Sequence, residues 1–266
     1  MLKYNFGGKV ALVTGGGGRI GSRIAEQFAE SGARVAVHDK TLDAAQKVAA
    51  QIAKRGGSAS AFAADLLCVS EIYDMVERVA HEMGVPSILV NNAGAYPNCA
   101  VLDMSLREWD TVYDLNVRAP FVLSQQVARR LVELKRPGCI VNISSGAGSS
   151  ARLGAAHYSG SKAALEMLTR VMAMELGEHA IRVVCIAPGL ITDEPLFISD
   201  DRPRDEYVNT LLSSIPLGRT GVAEDISRAV LWAASDDACW VTGTVIGVDG
   251  GSQSGRTHLP YSRHTL

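Results

Sequence analysis

Residues 10–21 read VALVTGGGGRIG. A short β-branched run enters four consecutive glycines, and the residues beyond, IAEQFAES (24–31), carry the apolar spacing of an amphipathic helix. A glycine string alone marks only a flexible turn. Between a strand and a helix it permits a tight turn and lets a diphosphate approach the backbone, where free N–H groups and the helix dipole favour its charge. The stretch therefore predicts a dinucleotide cradle formed by Gly15, Gly18, Arg19, Ile20 and Gly21.

The same alternation continues down the chain. RVAVHD (34–39), SAFAAD (60–65), SILVNNAG (87–94), CIVNISS (139–145), IRVVCIAPG (181–189) and TVIGVDGG (244–251) read as strands. Helical patterns fall at about 41–55, 70–83, near 105–115, 120–135, 157–178 and 223–235. Strands apolar on both faces and separated by helices imply a parallel sheet covered on each side. The expected class is α/β: a doubly wound parallel sheet in a single domain, residues 1–251, followed by a tail, 252–266, without periodicity. Residues 193–216 break the rhythm. They are polar and proline-bearing, and are expected to form a mobile substrate lid.

Composition narrows the function. The net formal charge of the 266 residues is −2, which gives no field to steer the chain toward nucleic acid or an anionic membrane surface. The five cysteines are far apart and unpaired in spacing, and the six histidines lack metal-ligand spacing, so neither a disulfide framework nor a metal site is expected. No apolar run is long enough to span a bilayer and no signal peptide is evident, so a soluble cytoplasmic protein is expected.

Asp39 ends the second strand. A carboxylate there can accept both ribose hydroxyls of an adenosine and would repel a 2′-phosphate, which favours NAD. Lys40 and Arg19 are cations that could meet such a phosphate, so NADP remains possible. In YSGSK (158–162), Tyr158 and Lys162 lie four apart on one helix face. A phenol titrates near ~10, and an adjacent ammonium and a cationic pyridine ring would both lower it toward use as a base. Ser145 ends the strand before this helix, where strand C-termini line a ligand crevice, although Ser144 beside it could serve instead. Asn116, in DLNVRAP, reads on its own as a core amide with satisfied hydrogen bonds.

These pieces, TGGGGRIG, Asp39, Asp65, NNAG (91–94), Asn116, NISS (142–145), YSGSK, PGLIT (188–192) and VDGG (248–251), appear in order from about residue 7 to 251. Together they resemble the short-chain dehydrogenase/reductase family, whose fold is Rossmann-like. One position departs from the family pattern: Arg19 stands where a glycine is usual, and Gly18 carries the glycine one place upstream. The Arg19 guanidinium is expected in solvent or against an outer phosphate oxygen.

The resemblance implies roles. Tyr158 would be the acid/base, Lys162 would lower its pKa and hold the nicotinamide ribose, and Ser145 would polarise the substrate oxygen. Asn116 would hold a water in a proton relay. Asp65 and Leu66 would border the adenine, and Asn92, Ala93 and Gly94 the adenosine ribose. Pro188, Gly189, Ile191 and Thr192 would hold the nicotinamide carboxamide. Ala95, Tyr96, Ala147 and Leu153, with Pro97 and His157, would line the pocket for a small or medium secondary alcohol or ketone. Arg152 and the tail residues Arg256, His258, Arg263 and His264 are cations an anionic substrate could use, though a solvated tail is the simpler reading. A homotetramer is expected from the family. Rival readings are an NADP-dependent 3-oxoacyl-thioester reductase and a dinucleotide-binding sensor without chemistry.

Overall fold

The computed structural model describes residues 4–200 and 204–255. Arg256, His258, Arg263 and His264 lie outside the described residues. The chain alternates β1 (Val10–Val13), α1 (Arg19–Glu30), β2 (Arg34–Asp39), α2 (Leu42–Lys54), β3 (Ser58–Ala63), α3 (Val69–Met83) and β4 (Ile88–Asn91). It continues through α4 (Leu106–Tyr113), α5 (Ala119–Glu133), β5 (Gly138–Ile143), α6 (Ala156–Leu176), β6 (Ile181–Pro188), α7 (Glu206–Ser213), α8 (Ala223–Ala234) and β7 (Val245–Val248). The seven strands form one parallel sheet in the order β3-β2-β1-β4-β5-β6-β7.

Alternation along each strand divides the core into two layers. Ala11, Val13, Val35, Val37, Val90 and Val141 face α1, α2 and α8 through Ile24, Phe28, Val48, Ile52, Ile226 and Val230. Val10, Leu12, Ala36, Leu89, Ile140 and Val183 face α3, α5 and α6 through Ile72, Met75, Val79, Leu123, Leu131 and Met172. The single-domain, doubly wound reading of the sequence is therefore what the chain forms. The strand order reverses between β1 and β4, and a crevice opens at that point, beyond the strand C-termini.

Two segments differ from expectation. The helices expected near 105–115 and over 120–135 are one rod, because Asp114–Arg118 continues from α4 to α5 as a π-helical turn. Ser105 starts this rod with a capping box: its hydroxyl accepts from Glu108 N, and the Glu108 carboxylate accepts from Ser105 N. Within 193–216, expected to form a mobile substrate lid, α7 forms on an Asp205 cap whose Oδ1 accepts from Val208 N at 2.7 Å.

A buried polar chain ties the sheet to its helices behind the crevice. Asn91 Nδ2 on β4 donates to Ser124 Oγ on α5 and to Asn142 Oδ1 on β5, and Asn142 Nδ2 donates to Thr169 Oγ1 on α6. All four residues are buried. Replacing Asn142 with Leu strands one donor on Asn91 and an acceptor on Thr169. The N142L variant is expected to lose roughly 1–3 kcal/mol for each group left unpaired, read as a lower urea midpoint with unchanged slope.

Candidate active site

The glycine loop is held by the end of β4. Asn92 Nδ2 donates to the carbonyls of Thr14 (2.9 Å) and Gly15 (3.1 Å). Asn92 N and Ala93 N donate to Thr14 Oγ1 at 3.0 and 3.1 Å. Gly15 sits at φ +61, and a Cβ on Gly21 would lie 2.1 Å from the Gly15 carbonyl oxygen, so the helix start fits against the loop only without a side chain. Gly18 is the N-cap of α1, and no side chain caps that helix. Its first N–H groups are therefore left to a ligand or to water. A cradle this bare and open fits the diphosphate of a dinucleotide.

The charged groups around the cradle are arranged specifically. Asp39 Oδ2 accepts from Gly17 N at 3.1 Å, which places its carboxylate at the loop. Lys40 pairs with Asp65 at 2.9 Å, and that bond holds the Asp65 carboxyl below its ordinary range. Arg19 is exposed, in keeping with the solvent reading, and also makes contacts that the sequence did not indicate. Its Nη1 donates to the Ile191 carbonyl at 3.0 Å, and its Nε pairs with Asp193 at 2.5 Å. As the first residue of α1 it faces the segment after β6, where a carboxylate is in reach. The guanidinium straps the glycine loop to that segment.

Other residues expected at the cofactor are placed as follows. The side chains of Ile20 and Leu66 pack into the two core layers, so their backbones face the loop region. Gly189 passes Asp249 so closely that a Cβ would lie 2.7 Å from the Asp249 Cα. Thr192 N donates to the Gly221 carbonyl at 3.0 Å, and the Thr192 hydroxyl is bonded to the Glu194 carbonyl and the Thr220 hydroxyl, both at 2.6 Å.

At the ends of β5 and α6 the structure brings Ser145, Tyr158 and Lys162 together. It also separates the two serines. Ser144 Oγ is buried and donates to Glu166 Oε1 at 2.7 Å, whereas Ser145 Oγ accepts from Ala147 N at 3.2 Å and is the serine hydroxyl that favours the ionised form of Tyr158. Lys162 Nζ is buried, donates to the Ile143 carbonyl at 2.8 Å and lies 5.8 Å from the Tyr158 ring centroid. Burial pulls the Lys162 amine down to about 8, with Cys185 and Glu166 opposing. Burial likewise pushes the Tyr158 phenol above its ordinary value, and the Ser145 hydrogen bond and the Arg152 charge draw it part of the way back. The low phenol pKa expected from Lys162 is thus not produced by the protein's own groups, because desolvation outweighs them.

Asn116 lies on the π turn and is fully buried. Its Oδ1 accepts from Ala95 N, and its Nδ2 donates to the Ala95 carbonyl and to Ser161 Oγ, at 2.9, 2.9 and 3.0 Å. Both amide protons are used, as for a satisfied core amide, and the free lone pair is on Oδ1. A Cβ on Gly94 would stand 3.1 Å from that oxygen and 3.5 Å from Lys162 Nζ, so the bare glycine leaves space between the two.

On the substrate side, the Tyr96 ring sits edge-on to Tyr158 with centroids 6.4 Å apart. Leu153 is 100% exposed and His157 0% exposed, so neither lines an enclosed pocket wall. Sequence reasoning did not find Asn98 or Tyr207, both bonded to Arg152, because no spacing links residues 54 and 55 positions apart.

With this geometry in place, comparison with known proteins adds the following. A family model described as enoyl-(acyl carrier protein) reductase matches residues 17–253. A 3-oxoacyl-(acyl-carrier-protein) reductase of Chlamydia muridarum is 36% identical over 91% of this chain and 96% of its own. A short-chain type dehydrogenase/reductase from Mycobacterium marinum superposes with a TM-score of 0.87 at 35% identity, over 95% of this chain and 98% of its own. A 7α-hydroxysteroid dehydrogenase, solved with NADH and 7-oxo glycochenodeoxycholic acid, gives 0.85 at 36% identity over 94% and 96%. A Beutenbergia cavernae chain assigned as an NAD(P)-dependent gluconate 5-dehydrogenase, solved with NADP at low occupancy, gives 0.87 at 32% over 95% and 100%.

Burial of Lys162 leaves a mark on stability. The unfolded chain keeps that proton up to 10.5, whereas the folded chain releases it near about 8. Between those values the unfolded state binds more protons, so stability rises with pH. The cost of the buried charge is fully present below pH 8 and is relieved above it. Measured by urea unfolding, the stability of the native chain relative to K162M is expected to increase from pH 7 to pH 9.5.

Proposed function

The chain belongs to the short-chain dehydrogenase/reductase family, and from that premise we propose that it is an NAD-dependent enzyme interconverting a secondary alcohol and a ketone. Oxidoreduction at a CH–OH group is shared by the 3-oxoacyl reductase and hydroxysteroid dehydrogenase relatives, the latter solved with NADH. The finer reading is carried by one arrangement: the Lys162 amine lies 5.8 Å from the Tyr158 ring and Ser145 favours that phenol's ionised form, in a chain whose glycine loop leaves a helix start uncapped.

In this reading the diphosphate would lie on Gly15 to Gly21 and the adenosine against Asp39, Asp65 and Asn92 to Gly94. The carboxamide would lie against Pro188, Gly189, Ile191 and Thr192. A bound nicotinamide supplies the hydride acceptor or donor. In oxidation, Tyr158 as phenolate takes the hydroxyl proton, and Ser145 donates to the substrate oxygen and steadies its charge. Burial raises the phenol's pKa, and Ser145 and Arg152 are the protein groups that ease its ionisation. Lys162, held by the Ile143 carbonyl, would meet the ribose. The gap at Gly94 gives a water room to join Lys162 to Asn116 Oδ1 and pass the proton on.

The preference for NAD is supported by charge. Asp39 presents an anion at the loop, and the two cations that could offset it, Lys40 and Arg19, are paired with Asp65 and Asp193. The alternative, an NADP-dependent 3-oxoacyl-thioester reductase, has the Chlamydia relative in its favour. A homotetramer is part of the proposal. Phe121 on α5 and Met167, Val171 and Met174 on α6 are exposed, as is Trp240 before the edge strand β7.

A panel of secondary alcohols and ketones, assayed at the reduced-dinucleotide absorbance with both cofactors, tests the reading. Turnover is expected with NAD over NADP, and Tyr158→Phe is expected to lower kcat/KM by roughly 10²- to 10⁴-fold while dinucleotide binding persists. Full activity in that variant would remove Tyr158 from the chemistry. Asp39→Ala is expected to shift the cofactor ratio toward NADP by about tenfold or more, since like charges at contact cost on the order of 4 kcal/mol near a protein surface.

A further inference from the structure

Arg152 eases the ionisation of Tyr158, but its position also has features that the proposed hydride and proton transfers do not use. It lies on the loop between β5 and α6, six residues before Tyr158, and its guanidinium carbon is 5.8 Å from the centroid of the Tyr158 ring. Two other loops of the crevice meet it there. Asn98, from the segment between β4 and α4, accepts from Nη2 through Oδ1 at 3.0 Å. Tyr207, on α7, accepts from Nη1 through its hydroxyl oxygen at 2.7 Å. The Cys99 N–H donates to the Gly154 carbonyl at 2.8 Å, which ties the first two loops together beside this point.

The chemistry of the set is one-sided. Both partners of the guanidinium are neutral, and no carboxylate among the described residues pairs with it. Among the described residues the Nε–H is buried without a partner. Asn98 Oδ1 and the Tyr207 oxygen each accept from Arg152, and both residues also carry donors not given to it: the Asn98 amide protons and the Tyr207 O–H. A cation flanked by two spare donors is complementary to an anion. It stands within a ring and a few bonds of the phenol oxygen where the carbinol would bind.

We propose that Arg152, with Asn98 and Tyr207, is the specificity site of this enzyme, and that the substrate is a hydroxy acid or keto acid whose carboxylate pairs with Arg152 while its oxygen meets Ser145 and Tyr158. One guanidinium matches a single negative charge. The other cation against the Tyr158 ring, Lys162, is turned to the Ile143 carbonyl, so a dianionic phosphate would find no second partner in this set. A planar carboxylate also suits the fork of an arginine. Tyr207 lies on α7, so the acid would additionally draw that helix toward the site.

This inference rests on the oxidoreductase reading above, and the test separates the two. The full chain, with NAD and with NADP, is assayed on 3-hydroxybutanoate, 4-hydroxypentanoate and 5-hydroxyhexanoate and on the N-methylamide of each. The quantity read is the ratio of kcat/KM for acid over amide. Removing the Arg152 charge also makes the phenol harder to ionise, but it does so for both members of a pair, and the ratio cancels that effect. For at least one chain length the native ratio is expected to favour the acid by about 10- to 100-fold, the scale of a hydrogen-bonded charge pair. Arg152→Gln is expected to bring the ratio to near one, chiefly through KM, and Arg152→Lys to restore part of it. The native ratio needs no variant, so misfolding of Arg152→Gln would not remove the test.

A native preference for the amides, or a loss in Arg152→Gln equal for acid and amide, overturns the proposal and makes Arg152 a strut between Asn98 and Tyr207. Turnover of neutral alcohols with none of the acids also overturns it, and leaves the oxidoreductase reading in place. No turnover of any alcohol or ketone overturns both.

Discussion

The site is built around one buried cation. Lys162 Nζ is buried, donates to the carbonyl that ends β5, and lies against the ring of Tyr158. Placing an ammonium there is unfavourable on its own, as its depressed pKa records. The arrangement persists because the sheet and α6 are locked around it. Asn91, Asn142, Ser124 and Thr169 bond β4, β5, α5 and α6 to one another just behind the amine. Gly148 leaves room for the Glu166 carboxylate, which would otherwise meet a Cβ at 2.4 Å and which holds Ser144 out of the site. Ser145 is thereby left as the serine that faces the phenol.

The second half of the site follows from topology. β1 and β4 are neighbours, and the chain leaves them on opposite sides of the sheet, so their ends part to form the crevice. Asn92 spans that parting by gripping the carbonyls of Thr14 and Gly15. The glycines then serve two distinct needs: Gly15 adopts a left-handed turn, and Gly21 lets the helix start close on the loop. Arg19 adds a further contact, joining the loop to Ile191 and Asp193.

The rod formed by α4, the π turn and α5 shows how local irregularity can serve position. The π turn places Asn116 in the interior, where its amide clips Ala95 from both sides. The clip fixes the start of the loop that carries Tyr96 and Asn98, and that loop meets Arg152 at the mouth of the crevice. Backbone geometry inside one helix thus sets the side chains available to a substrate.

Hydrophobic alternation and glycine placement determined the class, the seven strands and the strand-to-helix cradle, because these depend on residues close in sequence. The four-residue spacing of Tyr158 and Lys162 on one helix was legible for the same reason. Boundaries drifted where strands end in polar motifs: SILVNNAG forms a strand only to Asn91, since the next residues turn away to bond Thr14. The partner of Arg19, the choice between Ser144 and Ser145, the balance of burial against charge at Tyr158, and the meeting of Asn98, Arg152 and Tyr207 were decided by tertiary structure alone. Each joins residues from separate elements or depends on how much water the packed chain excludes, and neither property is written in local spacing.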